Sequence, residues 1–223
     1  DHPRDARWSA PEERDHLETI LQREAAQLEP AVKISFWRRL ARREILVMIV
    51  MNFLHNCAAY GCMAFFTDGL KAKNFSALQY GFLFAAPYAL TAVIMVLNSW
   101  HSDKTAERRG HVALVYTMSG VSLILSVLTR EHFWLSYVFL CFAIPGPFAA
   151  LAPFWAIPTE TLPGNVFGPV IGLVNALGNT GGFAGPFIVG WLMTQYHSTA
   201  IPFNALGLGL LIAAALAFLL PKS

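Results

Sequence analysis

The sequence predicts an all-α membrane protein, and three observations carry that prediction. Its 223 residues are 55% hydrophobic and only 13% charged, against the roughly 25% charged residues of an average soluble domain. Eighteen of the thirty Asp, Glu, Lys and Arg residues fall in residues 1–44; beyond them the apolar runs are interrupted only by charges at 68–73, 103–109, 130–131, 160 and 222. The runs reach the length of about 20 residues that crosses the hydrocarbon layer as a helix. Helices and closed barrels alone satisfy their backbone in lipid, and these runs are too long for strands.

Taken in order, residues 1–44 form a cytoplasmic segment. Pro11, Glu12 and Glu13, with Ser9 as cap, start a helix, since a first-turn proline and acids suit a helix N-terminus. Leu17, Ile20, Leu21 and Leu28 keep helical spacing up to an end near Pro30. This helix is either amphipathic or a solvated linker. The tract Lys33 to Arg43 interleaves aromatics with basic residues and suits the headgroups of an anionic leaflet. Six spans follow near 45–67, 79–99, 111–129, 133–157, 166–193 and 200–220, making a domain over 45–220 and a cytoplasmic tail at 221–223. With six spans and counting from Lys33 onward, nine Lys and Arg lie on the side of residue 44 and three on the other, so the positive-inside rule places both termini of this segment in the cytoplasm.

Several functions are disfavoured at once. The net charge of +2 reports topology and gives no footprint for nucleic acid. Cys57, Cys62 and Cys141 sit in apolar runs without metal spacing, as packing residues do. No GxSxG, HExxH, P-loop or GxGxxG is present, which excludes the common enzymatic motifs; neither enzyme activity, cofactor nor metal is expected. The chain opens on Asp1 without methionine or signal peptide, as a cut or incomplete frame would.

Three stretches concentrate polarity inside the spans. In the first, Asn52, Asn56 and Tyr60 are four apart, with His55 on the neighbouring flank. Polar groups at membrane depth face a bundle interior or a water-filled path, so this face either meets a substrate or hydrogen-bonds between helices. In the fourth, Pro145, Pro147 and Pro153 interrupt the helix and Pro158 closes it, around Trp155; prolines permit bending, and Trp155 lines a path or belongs to an interfacial belt. In the fifth, Asn175 and Asn179 share a face with Gly178, Gly181, Gly182, Gly185 and Pro186 nearby. Small residues four apart let helix backbones approach closely. The loop from Ser99 to Arg109 sets Asp103 against Arg108 and Arg109; it is a helix-anchoring turn or a positive-inside loop with an incidental acid.

That loop resembles the major facilitator superfamily signature Gly-x-x-x-Asp-Arg-x-Gly-Arg-Arg, with Asp103 matching, the arginine pair standing one position on as Arg108/Arg109, and Ser99, Lys104 and Ala106 replacing the first glycine, first arginine and second glycine. Asp1-x-Pro3-x-x-Ala6-x-Trp8-x-x-x-Glu12-Glu13 is similar to the central cytoplasmic loop of the anion:cation symporter branch, which reads Asp-x-Pro-x-x-Ala-x-Trp-Leu-x-x-Glu-Glu, with Ser9 here replacing the leucine. His101 to His111 and Asn175 to Pro186 resemble that branch too. The resemblance covers the whole chain as the central loop plus the C-terminal half of a major facilitator fold, two inverted three-helix repeats.

It implies a secondary active transporter of the cell membrane that moves a small organic anion, such as a sugar acid or another carboxylate, with protons by alternating access. Its partners are that anion, protons, membrane lipid and a missing N-terminal six-helix half, where the branch keeps its coupling carboxylates and anion-binding arginine. Asn52, His55, Asn56, Tyr60, Trp155, Asn175 and Asn179 are the expected path residues, the amides serving as donors to carboxylate or hydroxyl groups. Asp103, Arg108 and Arg109 form the expected conformational latch, Asp103 reaching the fifth span near Gly164. The glycines serve helix packing, on a helix resembling the one that lies against the other half. A truncated inactive remnant, or a small six-helix carrier that dimerises, are the alternatives.

Overall fold

The computed structural model describes residues 8, 10–27, 42–71, 75–162 and 164–221. The chain divides into two units, Asp1–Arg39 and Leu40–Ser223. In the first, α1 runs over Pro11–Gln27 with Glu12 and Glu13 in its first turn. Leu17, Ile20 and Leu21 on it are all exposed. The expected cap at Ser9, the end near Pro30 and the tract 33–41 lie outside the described residues.

The second unit is built from long helices. They are α2 (Arg43–Lys71), α3 (Ala77–Thr105), α4 (Arg109–Leu128), the consecutive pieces α5 (Phe133–Ala143), α6 (Pro145–Ala149) and α7 (Leu151–Thr161), then α8 (Gly164–Tyr196) and α9 (Ala200–Ala217). Five stretches are long and apolar enough to cross a membrane: Arg43–Ala64, Ala77–Thr105, Arg109–Leu128, Phe133–Thr161 and Ala200–Ala217. The sixth pass, α8, has 33 residues, about 50 Å at 1.5 Å per residue; its glycines and amides dilute its hydropathy. Several helices overrun the expected spans by a turn or more, because a helix continues into the headgroup layer wherever its caps allow. Ser76, for example, opens α3 with a capping box, accepting from Gln79 N while Gln79 Oε1 accepts from Ser76 N at 3.1 Å.

Passes one to three are α2, α3 and α4, and passes four to six are α5–α7, α8 and α9. Because each set has an odd number of passes, the second starts on the opposite side and the repeats are inverted. The most extensive contacts are α2 with α8 and α4 with α9. Between them lies an apolar core that includes Met51, Val112, Phe154, Val174 and Leu210. α3 contributes little to it and turns Val93, Val96 and Leu97 outward, a surface suited to lipid tails.

The fourth pass is broken where the prolines predict it. Pro145-Gly146-Pro147 cannot sustain the hydrogen-bond ladder, and two neighbouring helices supply substitutes. Ser119 Oγ on α4 accepts from Gly146 N at 2.8 Å, and Asn98 Nδ2 on α3 donates to the Ala149 carbonyl at 2.9 Å. A Cβ on residue 146 would fall 2.1 Å from Ser119 Oγ, so only glycine admits this approach. The break sets the direction of α7, which carries Trp155.

Candidate functional site

The close approach expected of the α8 glycines is made within the chain. A Cβ would lie 2.2 Å from Asn52 Nδ2 at Gly178, 2.2 Å from the Phe53 carbonyl oxygen at Gly181 and 2.4 Å from the Cys57 carbonyl oxygen at Gly185. Gly181 and Gly185 therefore seat α8 directly on the backbone of α2, and Gly178 seats it on the Asn52 side chain. Gly182 meets the Tyr60 ring instead, at 3.1 Å, while Pro186 continues the same helix, half-buried. Helical period tells which residues share a face and not which neighbour meets it; the neighbour of these glycines is α2.

The seam brings four amides together. Asn56 Nδ2 lies 2.8 Å from the Asn52 carbonyl oxygen, 3.1 Å from Asn52 Oδ1, and 3.3 Å from both the Gly178 carbonyl and Asn179 Oδ1. Asn52 Nδ2 donates to the Val174 carbonyl, and Asn179 Nδ2 to Asn175 Oδ1, both at 3.1 Å. An asparagine side chain has two donor hydrogens and one carbonyl oxygen. In this chain the oxygens of Asn52, Asn179 and Asn175 are used as acceptors, and both hydrogens of Asn56 are engaged. Four amide hydrogens remain, one each on Asn52 and Asn179 and both on Asn175, beside the oxygen of Asn56 and the second lone pair of each oxygen already used.

All seven expected path residues line one cavity of about 300 Å³, together with Ala59, Met63, Phe148 and Leu151. That volume is at the small end of ligand sites, which span roughly 300–1,000 Å³. Asn52, His55 and Asn56 are buried, Trp155 is half-buried, and Tyr60, Asn175 and Asn179 are exposed. The cavity therefore has a buried polar floor on α2 and opens beside α8. Trp155 contacts the main core and contributes an indole N–H, which only donates. His55 Nδ1 sits 3.2 Å from the hydroxyl of Tyr116 on α4. No Asp, Glu, Lys or Arg is among the described lining residues.

A second polar cluster ties the α3–α4 turn to the rest of the unit. Arg108 Nη1 donates to Asp103 Oδ1 and, at 3.1 Å, to Ser102 Oγ, while its Nε and Nη2 reach Glu160 Oε1 on α7 at 3.1 and 2.9 Å. The Glu160 hydrogen bond first, then that of Asp103, raise the Arg108 pKa above its ordinary value against the opposing effect of partial burial. Arg109 instead donates to the Phe218 and Leu220 carbonyls at 3.2 and 2.8 Å, closing the end of α9. Glu107 accepts from Gly110 N at 2.6 Å and from His111 Nδ1 at 2.9 Å. Its own burial raises the pKa, and these bonds outweigh that and lower it.

Ala106 takes a left-handed φ of 51°, at the place where the resembling signature has glycine. Alanine there costs about 1–2 kcal/mol. The expected reach of Asp103 toward Gly164 falls at residue 163 and the side chains of 164–166, outside the described residues. Sequence reasoning missed Glu160 and Tyr116. A lone acid on the same side as Arg108 was a usable signal for the first; a tyrosine inside an apolar run gave none for the second.

Comparison with known proteins agrees with this architecture. The family model described as Major Facilitator Superfamily matches residues 2–186. A "Putative tartrate transporter" of Agrobacterium vitis is 30% identical over all of this chain and 49% of its own length. "Inner membrane transport protein RhmT" of Escherichia coli (strain K12) is 30% identical over 97% of the chain and 48% of its own. A "Quinolone resistance transporter" of Acinetobacter baumannii is 24% identical over 85% and 44% respectively. The chain spans about half the length of the curated relatives it matches. With inverted three-pass repeats, apolar helices of membrane length and this match over most of its residues, the chain belongs to the Major Facilitator Superfamily.

Proposed function

We propose that this chain forms the C-terminal half of a secondary active transporter that moves a small organic anion, a sugar acid or other carboxylate, with protons by alternating access. The observation that supports this best is the set of amide hydrogens left over on the cavity wall by Asn52, Asn175 and Asn179. Carboxylates and hydroxyls accept hydrogen bonds, so amide hydrogens available to donate into the cavity favour them. The relatives named for tartrate point to the same class. A neutral wall leaves the anion's charge, and the protons, to be met by the half that the relatives have and this chain lacks. Both termini of the segment would face the cytoplasm, by the asymmetry of lysines and arginines.

The test is uptake into proteoliposomes by the full-length protein, with labelled L-tartrate and a panel of sugar acids. Asn175→Ala and Asn179→Ala each raise KM about tenfold, the effect of one charge-assisted hydrogen bond. Unchanged affinity and transport in both variants would remove the amides from the site and sink the reading.

The Arg108 cluster is, on this proposal, the latch that holds one end of the transport cycle closed. Asp103 has a side chain 72% exposed and Glu160 one 36% exposed, so solvent screens the first pair more. Glu160→Gln therefore slows turnover more than Asp103→Asn, with substrate affinity and thermal stability little changed in either. Variants that shift affinity and leave turnover alone count against a latch.

A further inference from the structure

We infer that Tyr116 is a positioning residue of the cavity: its phenol donates to His55 Nδ1, fixes the imidazole as the neutral Nε2–H form, and so turns a further N–H donor toward the bound anion. This rests on the cavity being the anion site. Tyr116 is 1% exposed and His55 6% exposed, with the two rings edge to face at a centroid distance of 6.1 Å and the hydroxyl 3.2 Å from Nδ1. A distance alone does not say which atom carries the proton. Burial decides it.

Among the described residues the hydroxyl's hydrogen-bond partner is His55 Nδ1. If Nδ1 carried a hydrogen, it would donate to the phenolic oxygen, and the phenol's own hydrogen would be left inside the core without an acceptor. A buried donor left unmade is disfavoured by about tenfold or more relative to the paired arrangement. The imidazolium form has a hydrogen on Nδ1 too, and is disfavoured for the same reason. With Nδ1 accepting, the neutral ring carries its hydrogen on Nε2. His55 also lines the cavity, and Nε2–H then joins the unspent hydrogens of Asn52, Asn175 and Asn179. Specificity follows: the wall rewards a substrate with an acceptor opposite His55 and rejects one with a donor there.

The test uses the full-length protein in lipid with ¹⁵N-labelled histidine, the His55 signal being assigned by its loss in His55→Gln. The expected spectrum of the unmodified protein has a protonated Nε2 and a bare Nδ1. Tyr116→Phe keeps the ring and removes the donor, so it gives a mixture of tautomers and raises KM for L-tartrate about tenfold, with kcat changed less than about twofold. In His55→Gln the amide nitrogen supplies a donor without help from Tyr116, and adding Tyr116→Phe to it leaves KM within about twofold. A protonated Nδ1 in the unmodified protein overturns the inference, as does an unchanged KM in Tyr116→Phe when His55→Ala is impaired. If His55→Ala itself binds normally, the cavity reading of His55 fails and the inference goes with it.

Discussion

Gly185→Ala lowers the stability of the protein by about 1–3 kcal/mol, the usual cost of forcing extra volume into a filled contact. The added methyl would stand 2.4 Å from the Cys57 carbonyl oxygen and 2.7 Å from Cys57 Cα. Both are backbone atoms of α2, so no rotamer change relieves the clash and the two helices must separate. Gly181→Ala meets the Phe53 carbonyl at 2.2 Å and behaves alike. Gly190, on the same helix, has nothing within 4 Å; there alanine gains up to about 1 kcal/mol of helix propensity. Thermal unfolding of the detergent-solubilised protein separates these cases. Equal melting temperatures for the alanine variants at Gly185 and Gly190 would show that α2 and α8 do not touch as described.

The third glycine of the seam links stability to the site. A Cβ at Gly178 meets Asn52 Nδ2 at 2.2 Å and Asn52 Cγ at 2.6 Å, so alanine there pushes against a side chain that helps hold the amide chain. Helix packing and the cavity wall share one helix contact here, which explains why a membrane-length helix carries residues of poor helix propensity.

Much of this was legible in the residues. Length and charge placement gave six passes, because the hydrocarbon layer sets the length of its helices. The proline cluster marked the break in the fourth pass, and period four placed Asn52, Asn56 and Tyr60 on one face of α2, with Asn175 and Asn179 on one face of α8. Contacts between helices were not legible. Nothing in the α8 spacing says that Gly181 meets Phe53, and nothing in the Pro145-Gly146-Pro147 run names Ser119 and Asn98 as the groups that satisfy its backbone. Asp103 was readable as a polar anchor, but its place in a cluster centred on Arg108 depends on where α7 ends and leaves Glu160. Tyr116 matters through one hydroxyl in an apolar interior, a feature composition does not separate from core packing.

Asn56→Asp reduces anion uptake about 100-fold or more, on the scale of several kcal/mol for like charges brought together, whereas Asn56→Leu reduces affinity about tenfold. The two variants differ in sign as well as size of perturbation. Asn56 is 7% exposed, and its Nδ2 faces four acceptor oxygens, on Asn52, Gly178 and Asn179. Leucine leaves Asn52 Oδ1 and Asn179 Oδ1 without that donor, while the two backbone carbonyls keep their helix bonds, and it frees Asn179 to turn. That costs about 1–3 kcal/mol of stability for each oxygen left buried and loosens the outer amides. Aspartate places an acceptor-only group against the same oxygens when ionised, and adds negative charge beside the cavity. To pair, it must take up a proton, or the outer amides must reverse and present oxygens where they now present hydrogens. Reversal withdraws the amide hydrogens on which the anion reading stands. Uptake kinetics and thermal unfolding, measured side by side, tell the two apart: leucine lowers stability and affinity together, and aspartate lowers affinity well beyond what its stability loss explains. Equal affinity losses in both variants would mean that filling the space matters and the direction of the amide chain does not.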